Sequence, residues 1–429
     1  MGIQGLRTSL GFIGGAGGDG ERPLNWRAGI LQRFPNGQAP LTALTAAMRT
    51  RVTDDPYFNW WEREVSARRM TLNANLDGAP GTGYGVTIVA GNGFDVLGGL
   101  QAVAGMVLRV EQTGELLLVD SDSNSDTAIT VTRSFGGVAA TSVTIATSGV
   151  NPNLLIVGTT YEEGAGTPES IRYRPQKFTN YTQIFRTSLK VTRTAMKTRL
   201  RTVPEVQDAK REALQYHSVD MEWGFLFGEQ LEDTGPLGHP RRMTDGIIQM
   251  ITNGASANVV DLATSADFAT AYTTTMEEFE DQMLSMFRYG SQEKVCFCGN
   301  RAMLAMQRMA RKNSSFDISP ATKEFGMNIR RFFSPFGTLV LKTHPLFNNN
   351  QSGVNTTAWW SMDTWMLVID MDDLTYRPLV DSDTKYLPNR QDNGTDGMTS
   401  EYLTEAGLEL NHAKNHYLLK GVVFGDVDA

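Results

Sequence analysis

Asn180-Tyr181-Thr182-Gln183-Ile184-Phe185 opens a basic, alternating stretch, and Thr202-Val203-Pro204-Glu205 follows it before a long apolar period. In the first part Phe185, Thr187, Leu189 and Val191 share one parity, and Arg186, Ser188, Lys190 and Thr192 the other, the period of a half-buried strand. In the second, a Thr-x-x-Glu capping box satisfies free backbone donors and the proline takes an early helical position, so a helix starts there. Beyond it Val206, Ala209, Ala213, Tyr216, Val219, Trp223 and Leu226 recur at steps of three or four. This stripe predicts a helix of roughly 40 Å reaching Gln230, with Val206, Ala213, Tyr216, Val219, Trp223 and Leu226 facing a core.

Strand followed by long helix resembles the E-loop and spine helix of tailed-bacteriophage major capsid proteins, whose Hong-Kong-97-type fold is shared with encapsulins. More narrowly, the chain is similar to a phage major head protein group with an Asn-Tyr-Thr-Gln-Ile-Phe strand, the helix, a Gly-Ile-Ile stretch, two further helices and C-terminal strands. Here Gly246-Ile247-Ile248 and the closing run around Tyr402 to Val423 stand in those places. The likeness extends from about Asp54 to the C-terminus, and it rests on the order of short motifs.

The resemblance implies an α+β chain in four parts. These are an N-terminal arm (1–57), an E-loop (58–187) with an inserted small β domain (about 86–160), a peripheral domain (188–251 and 399–429) with the spine helix (about 203–230), and an axial domain (252–398). It implies a major capsid protein that self-assembles as hexamers and pentamers into the icosahedral head of a tailed double-stranded DNA phage, formed in the host bacterial cytoplasm. Its partners would be itself, scaffolding, portal and decoration proteins, with only weak, non-specific contact to the enclosed DNA. An encapsulin-like compartment of the same fold is the nearest alternative, and the long glycine-rich arm with the inserted domain favours the phage. The fold's founding member locks its shell with a lysine-to-asparagine isopeptide bond whose lysine lies in the E-loop. Residues 58–176 here contain no lysine, so no such cross-link is expected.

Length and charge set outer bounds. A chain of 429 residues is long enough for two or three packing units. A net charge of -8 argues against a surface that grips nucleic acid throughout, because phosphate binding needs clustered Lys and Arg. The first 51 residues run the other way, with six arginines, among them Arg22, Arg27 and Arg33, against Asp19 and Glu21. Glycine-rich and irregular, they read as a tail or an arm that orders on a neighbour. Gly14-Gly15-Ala16-Gly17-Gly18-Asp19-Gly20 lacks the Gly-Lys-Ser/Thr of a phosphate loop and reads as a hinge. No apolar stretch approaches the ~20 residues of a membrane span.

Between Val86 and Gly158, short Val/Ile/Leu/Thr runs separated by Gly, Asp, Asn and Ser predict strands at Met106 to Val110, Glu115 to Asp120, Ala128 to Arg133, Ser142 to Ala146 and Leu154 to Val157. They make a small antiparallel barrel or sandwich. Further on, helices are expected at Asp267 to Tyr289 and Asn300 to Arg311, and strands at Thr338 to Leu341, Trp365 to Ile369, Tyr402 to Leu410 and Tyr417 to Phe424.

Chemistry-bearing motifs are sparse, and no catalytic, cofactor-binding or metal-binding residue is assigned. Cys296 and Cys298 alternate along an apolar strand and read as buried thiols. His412 and His416 lie in strand and turn, and the carboxylates Asp120, Asp122, Asp370, Asp372 and Asp373 end apolar strands, where solvated turns are ordinary. The strongest rival signal is the run from Arg172 to Arg201, with nine basic residues, no acidic ones and interleaved aromatics. Such a run suits a single-stranded nucleic acid. It also suits contact between subunits, through Arg172, Arg174, Lys177, Arg186 and Lys190 together with the arm's Arg22, Arg27 and Arg33.

Overall fold

The computed structural model describes residues 48–63, 68–77, 80–89, 102–121, 128–144, 152–168, 175–198, 205–262, 276–312, 322–324, 327–348 and 362–422. The chain divides into two compact units, Met1–Phe58 with Asn180–Ala429, and Asn59–Thr179. Mixed α+β architecture agrees with the expected class.

β1 (Arg49–Thr50) and β2 (Tyr57–Glu62) lead into the smaller unit. That unit is built from β3 (Arg69–Thr71), β4 (Tyr84–Thr87), β5 (Met106–Val110), β6 (Leu116–Val119), β7 (Ala128–Phe135) and β8 (Asn153–Thr159), and β9 (Gln176–Tyr181) returns beside β2. The sheet runs β3-β8-β5-β6-β7-β4. An antiparallel bridge from Leu72 to Ile88 then joins its two ends, with Asn73 donating to the Thr87 carbonyl and Val89 to that of Thr71. Barrel, not sandwich, is therefore the outcome, and closure removes the open edges.

Alternating inward residues, among them Leu72, Leu108, Val110, Leu117, Val131 and Leu154, fill the barrel and are fully buried. The barrel begins at Arg69 rather than near 86, because Met70 and Leu72 complete that core. Of the expected strand from Ser142, one bridge between Leu76 and Val143 is seen. Arg133, one of two basic residues in the 86–158 run, is wholly buried and grips Glu115 with two hydrogen bonds of 3.0 and 2.6 Å. Arg133 also donates to the Thr141 carbonyl (2.9 Å) and Glu115 accepts from the Thr141 amide (3.4 Å), so the pair pins the loop after β7.

In the larger unit come β10 (Gln183–Thr192), α1 (Arg193–Lys197), α2 (Glu205–Phe227), β11 (Leu231–Thr234), β12 (Pro240–Met243) and α3 (Ile247–Gly254). They are followed by β13 (Val259–Asp261), α4 (Met276–Met286), β14 (Glu293–Cys298), α5 (Asn300–Lys312), β15 (Thr322–Glu324), β16 (Met327–Phe333) and β17 (Thr338–Thr343). Last are β18 (Met366–Ile369), β19 (Leu374–Pro378), β20 (Lys385–Leu387), β21 (Gly397–Leu410) and β22 (Tyr417–Lys420). The start of the capping box at Thr202 and the first part of the helix expected over Asp267 to Tyr289, residues 267–275, lie outside the described residues, and the described part ends at Met286.

Two sheets organise this unit. One runs β1-β19-β21-β10, with β20 also on β21, and its longest ladder pairs Gln183 with Ala406 through to Thr192 with Gly397. The other runs β13-β22-β18-β14-β17-β16-β15. Its core takes Phe279, Met283 and Met286 from α4, Ala302, Ala305 and Met306 from α5, and the free thiols Cys296 and Cys298 from β14.

The sheets divide the chain differently from the expected boundary at 398. β19 and β20 pair in the first sheet, and β22 pairs in the second. Short turns at Met371–Asp373 and Ala413–Asn415 each pass the chain from one sheet to the other. Turns this short leave no composition shift for a sequence reading to detect.

Candidate assembly site

The opening motif is where strand, helix end and C-terminal strand meet. Asn180 is fully buried, and its Nδ2 donates to the carbonyls of Leu408 (2.7 Å) and Asp245 (3.3 Å). Its Oδ1 accepts from the amides of Asp245 (2.8 Å) and Tyr181 (2.8 Å), so the amide's full hydrogen-bonding capacity is used. Thr182 donates to Glu405 (3.0 Å), and Gln183 Oε1 accepts from Thr244 N (3.3 Å). Phe185 packs edge-on against Phe225, with ring centroids 5.6 Å apart.

Glycines permit this approach. A Cβ on Gly224 would stand 2.8 Å from the Phe185 ring, and one on Gly246 would stand 2.6 Å from Gly228 N. Burial pushes the Asp245 carboxyl up to about 6, and its Oδ1 is buried with no hydrogen-bond partner.

Along α2 the expected core residues separate. Ala213 and Leu226 are buried, and Val206, Val219 and Trp223 are half-buried. Tyr216 is 58% exposed, with its hydroxyl donating to Glu212 one turn back (2.9 Å), which corrects its placement in the core. The buried face runs through Ala213, His217, Met221 and Phe225, at steps of four, and includes Glu222. The apolar period drew the stripe through Tyr216 and passed over His217 and Glu222. His217 stands four residues from both Ala213 and Met221, which was the signal available.

These two polar residues have partners. His217 Nδ1 lies 3.1 Å from Thr187 Oγ1 and its Nε2 lies 2.7 Å from Thr404 Oγ1, tying α2 to β10 and β21, and burial lowers its pKa. Glu222 meets His344 at 2.7 Å with both side chains wholly buried. His344 Nδ1 accepts from Leu346 N, so the ring proton sits on Nε2 and is donated to Glu222. This joins the helix to the end of β17.

Lys177, Arg186 and Lys190 are exposed, the last two on the outer face of β10 with Ile184 and Ser188. Arg186 meets Glu401 at 2.5 Å, and Arg193 meets Asp396 at 2.7 Å. Glu401 of β21 and Asp396 just before it thus neutralise part of the basic run within the chain, which weakens the nucleic-acid reading. Arg172, Arg174, Arg22, Arg27 and Arg33 lie outside the described residues.

Other chemistry-bearing residues are occupied structurally. Asp370 accepts from the amides of Ser291 (2.7 Å) and Asp372 (3.2 Å), and its own amide donates to buried His416. Burial lowers His416 to about 4 and Lys294 to about 8. The Lys294 ammonium donates to three backbone carbonyls, those of Met286, Tyr289 and Asn415. Among the described residues no group of three or more His, Cys, Asp or Glu is arranged to hold a metal ion.

Buried polar groups thus join helix to sheet beside β10, an edge strand of the first sheet with one exposed face, and the arrangement is structural. The SU10 major capsid protein family model matches residues 16–423, and the chain belongs to that family. It is a phage major capsid protein, a component of the virion that assembles in multiple copies. A major capsid protein of Pseudomonas phage PaMx41 is 24% identical over 327 residues, covering 74% of this chain and 72% of that relative.

Similar solved structures include the capsid of a native GTA particle, at TM-score 0.44 and 11% identity, covering 97% of this chain and 100% of that one. A Mycobacterium phage Cain structure has TM-score 0.41 and 8% identity, covering 95% of this chain and 96% of its own.

Proposed function

We propose that this chain forms hexamers and pentamers that close into the icosahedral head of a tailed double-stranded DNA phage, assembled in the host bacterial cytoplasm. The observation that carries this reading is the ten-residue ladder of β10 on β21, locked to α2 through His217 and Phe185, with Asn180 fastening β21 to the segment before α3. It makes strand, long helix and C-terminal return one stiff body of the kind a shell wall needs.

In this reading, α2 with β10 and β21 is the peripheral domain, and the seven-stranded sheet with α4 and α5 is the axial domain. The arm and E-loop, the latter bearing the barrel, cross to neighbours so that many weak contacts act together. Assembly proceeds without a catalytic step of this chain's own, with a scaffold, portal and decoration proteins as further partners. A mildly acidic wall holds packaged DNA weakly.

Negative-stain electron microscopy of the size-exclusion peak, with absorbance at 260 and 280 nm, tests this. Closed shells or six- and five-fold rings are expected. A small particle carrying nucleic acid would move the assignment to the basic strand.

A further inference from the structure

β11 and β12 form a two-stranded hairpin directly after α2, and it is built as a projection. All four residues of β11 are exposed, β12 is exposed or half-buried, and Leu237 at the turn is 86% exposed. Two-stranded hairpins are marginal in water unless something holds them. This one is braced by cross-strand pairs, Asp233 with Arg241 at 2.6 Å and Glu232 with Arg242 at 3.4 Å. Its turn is set by Gly235 N donating to His239 O (2.8 Å) and by Gly238 at φ +77°, a conformation that favours glycine. The hairpin thus presents a large apolar side chain to water at its tip.

A groove of about 450 Å³ opens nearby between β10 and α2. Its apolar surface comes from Ile184, Trp223, Phe227 and Met243, with Asp220 and Arg186 also lining it. Ile184 is 57% exposed in that wall. Arg186 is already held by Glu401, and Arg241 and Asp233 hold each other on the hairpin, so the match between the two surfaces is one of apolar tip to apolar groove.

We infer that the hairpin is a docking finger, and that Pro236 and Leu237 of one copy insert into the β10–α2 groove of another copy of this chain. The occupant is a second copy because the chain assembles in multiple copies and because finger and groove share one end of α2, with Met243 belonging to both. Copies related by rotation about an axis near that end bring each tip to a neighbour's groove, a heterologous contact that closes into a ring. This inference rests on the proposed shell assembly and specifies one of its contacts.

Chains carrying Leu237→Cys are mixed with chains carrying Ile184→Cys, assembled together, oxidised, and run on a non-reducing denaturing gel. Native Cys296 and Cys298 are buried and do not compete. A disulfide-linked dimer that needs both variants is expected, because neither the tip nor the groove of one chain can supply both thiols. Assembled particles without that dimer overturn the inference, as does a doubly substituted chain that links only within itself.

Leu237→Asp is expected to cut the yield of assembled particles at least tenfold while leaving the circular dichroism of the subunit unchanged, and wild-type yield would also overturn it. If wild-type protein forms a ring that is no shell, the proposed function fails while the linked dimer still decides the finger.

Discussion

Removing the Asn180 side chain tests the account of the opening motif most directly. Asn180→Ala leaves the Leu408 carbonyl and both the amide and the carbonyl of Asp245 without their partner in a buried position. A buried polar group stripped of its hydrogen bond costs about 1–3 kcal/mol, and the 3.3 Å bond belongs at the low end. Three such groups, one of them at the low end, place the loss at about 3 to 7 kcal/mol, large for a single substitution.

Asn180→Asp separates geometry from polarity. It keeps the acceptor for the Asp245 and Tyr181 amides but turns the donor facing the Leu408 carbonyl into an oxygen. Below the carboxylate range it can be protonated and donate again, so its deficit should shrink in acid. The assay is urea unfolding of dissociated subunits followed by tryptophan fluorescence, comparing midpoints at constant slope. A loss below about 1 kcal/mol for Asn180→Ala would refute the view that this residue binds strand, helix end and C-terminal strand together.

Replacing Glu222 by Leu strands buried His344 and should destabilise by about 3–5 kcal/mol, while adding His344→Phe should recover at least half of that, as read by the same unfolding assay. Asp245, raised to about 6, keeps a proton that the unfolded chain has already released, so its contribution is full below about pH 4 and lost as pH rises to about 6. Asp245→Asn should flatten that decline in urea midpoint.

His416, lowered to about 4, works in the opposite sense. Its contribution is full above about pH 6.5 and lost as pH falls towards 4, and His416→Asn should remove the acid loss. Denaturing gels of assembled particles should show one monomer band, since residues 58–176 hold no lysine for an E-loop cross-link, and a ladder of higher bands would count against this.

Much of the fold was legible in the local pattern. Alternation over Phe185 to Thr192 placed the correct residues on the buried side of β10, and the runs at Met106, Ala128 and Leu154 became barrel strands, because period-two burial is written in each strand's own residues. Cys296 and Cys298 were readable as core for the same reason.

What tertiary structure alone decided concerns partners distant in sequence. Whether the 86–158 strands closed depended on Leu72 reaching Ile88, a pairing with no local signature. His217 and Glu222 carry no apolar signal, and it is Thr187, Thr404 and His344 that make their burial possible, while Tyr216, read as core, is exposed. Hydropathy predicts the side of a helix that leaves water. It cannot predict which polar side chain will find its hydrogen bond there, because that depends on atoms brought in from elsewhere along the chain.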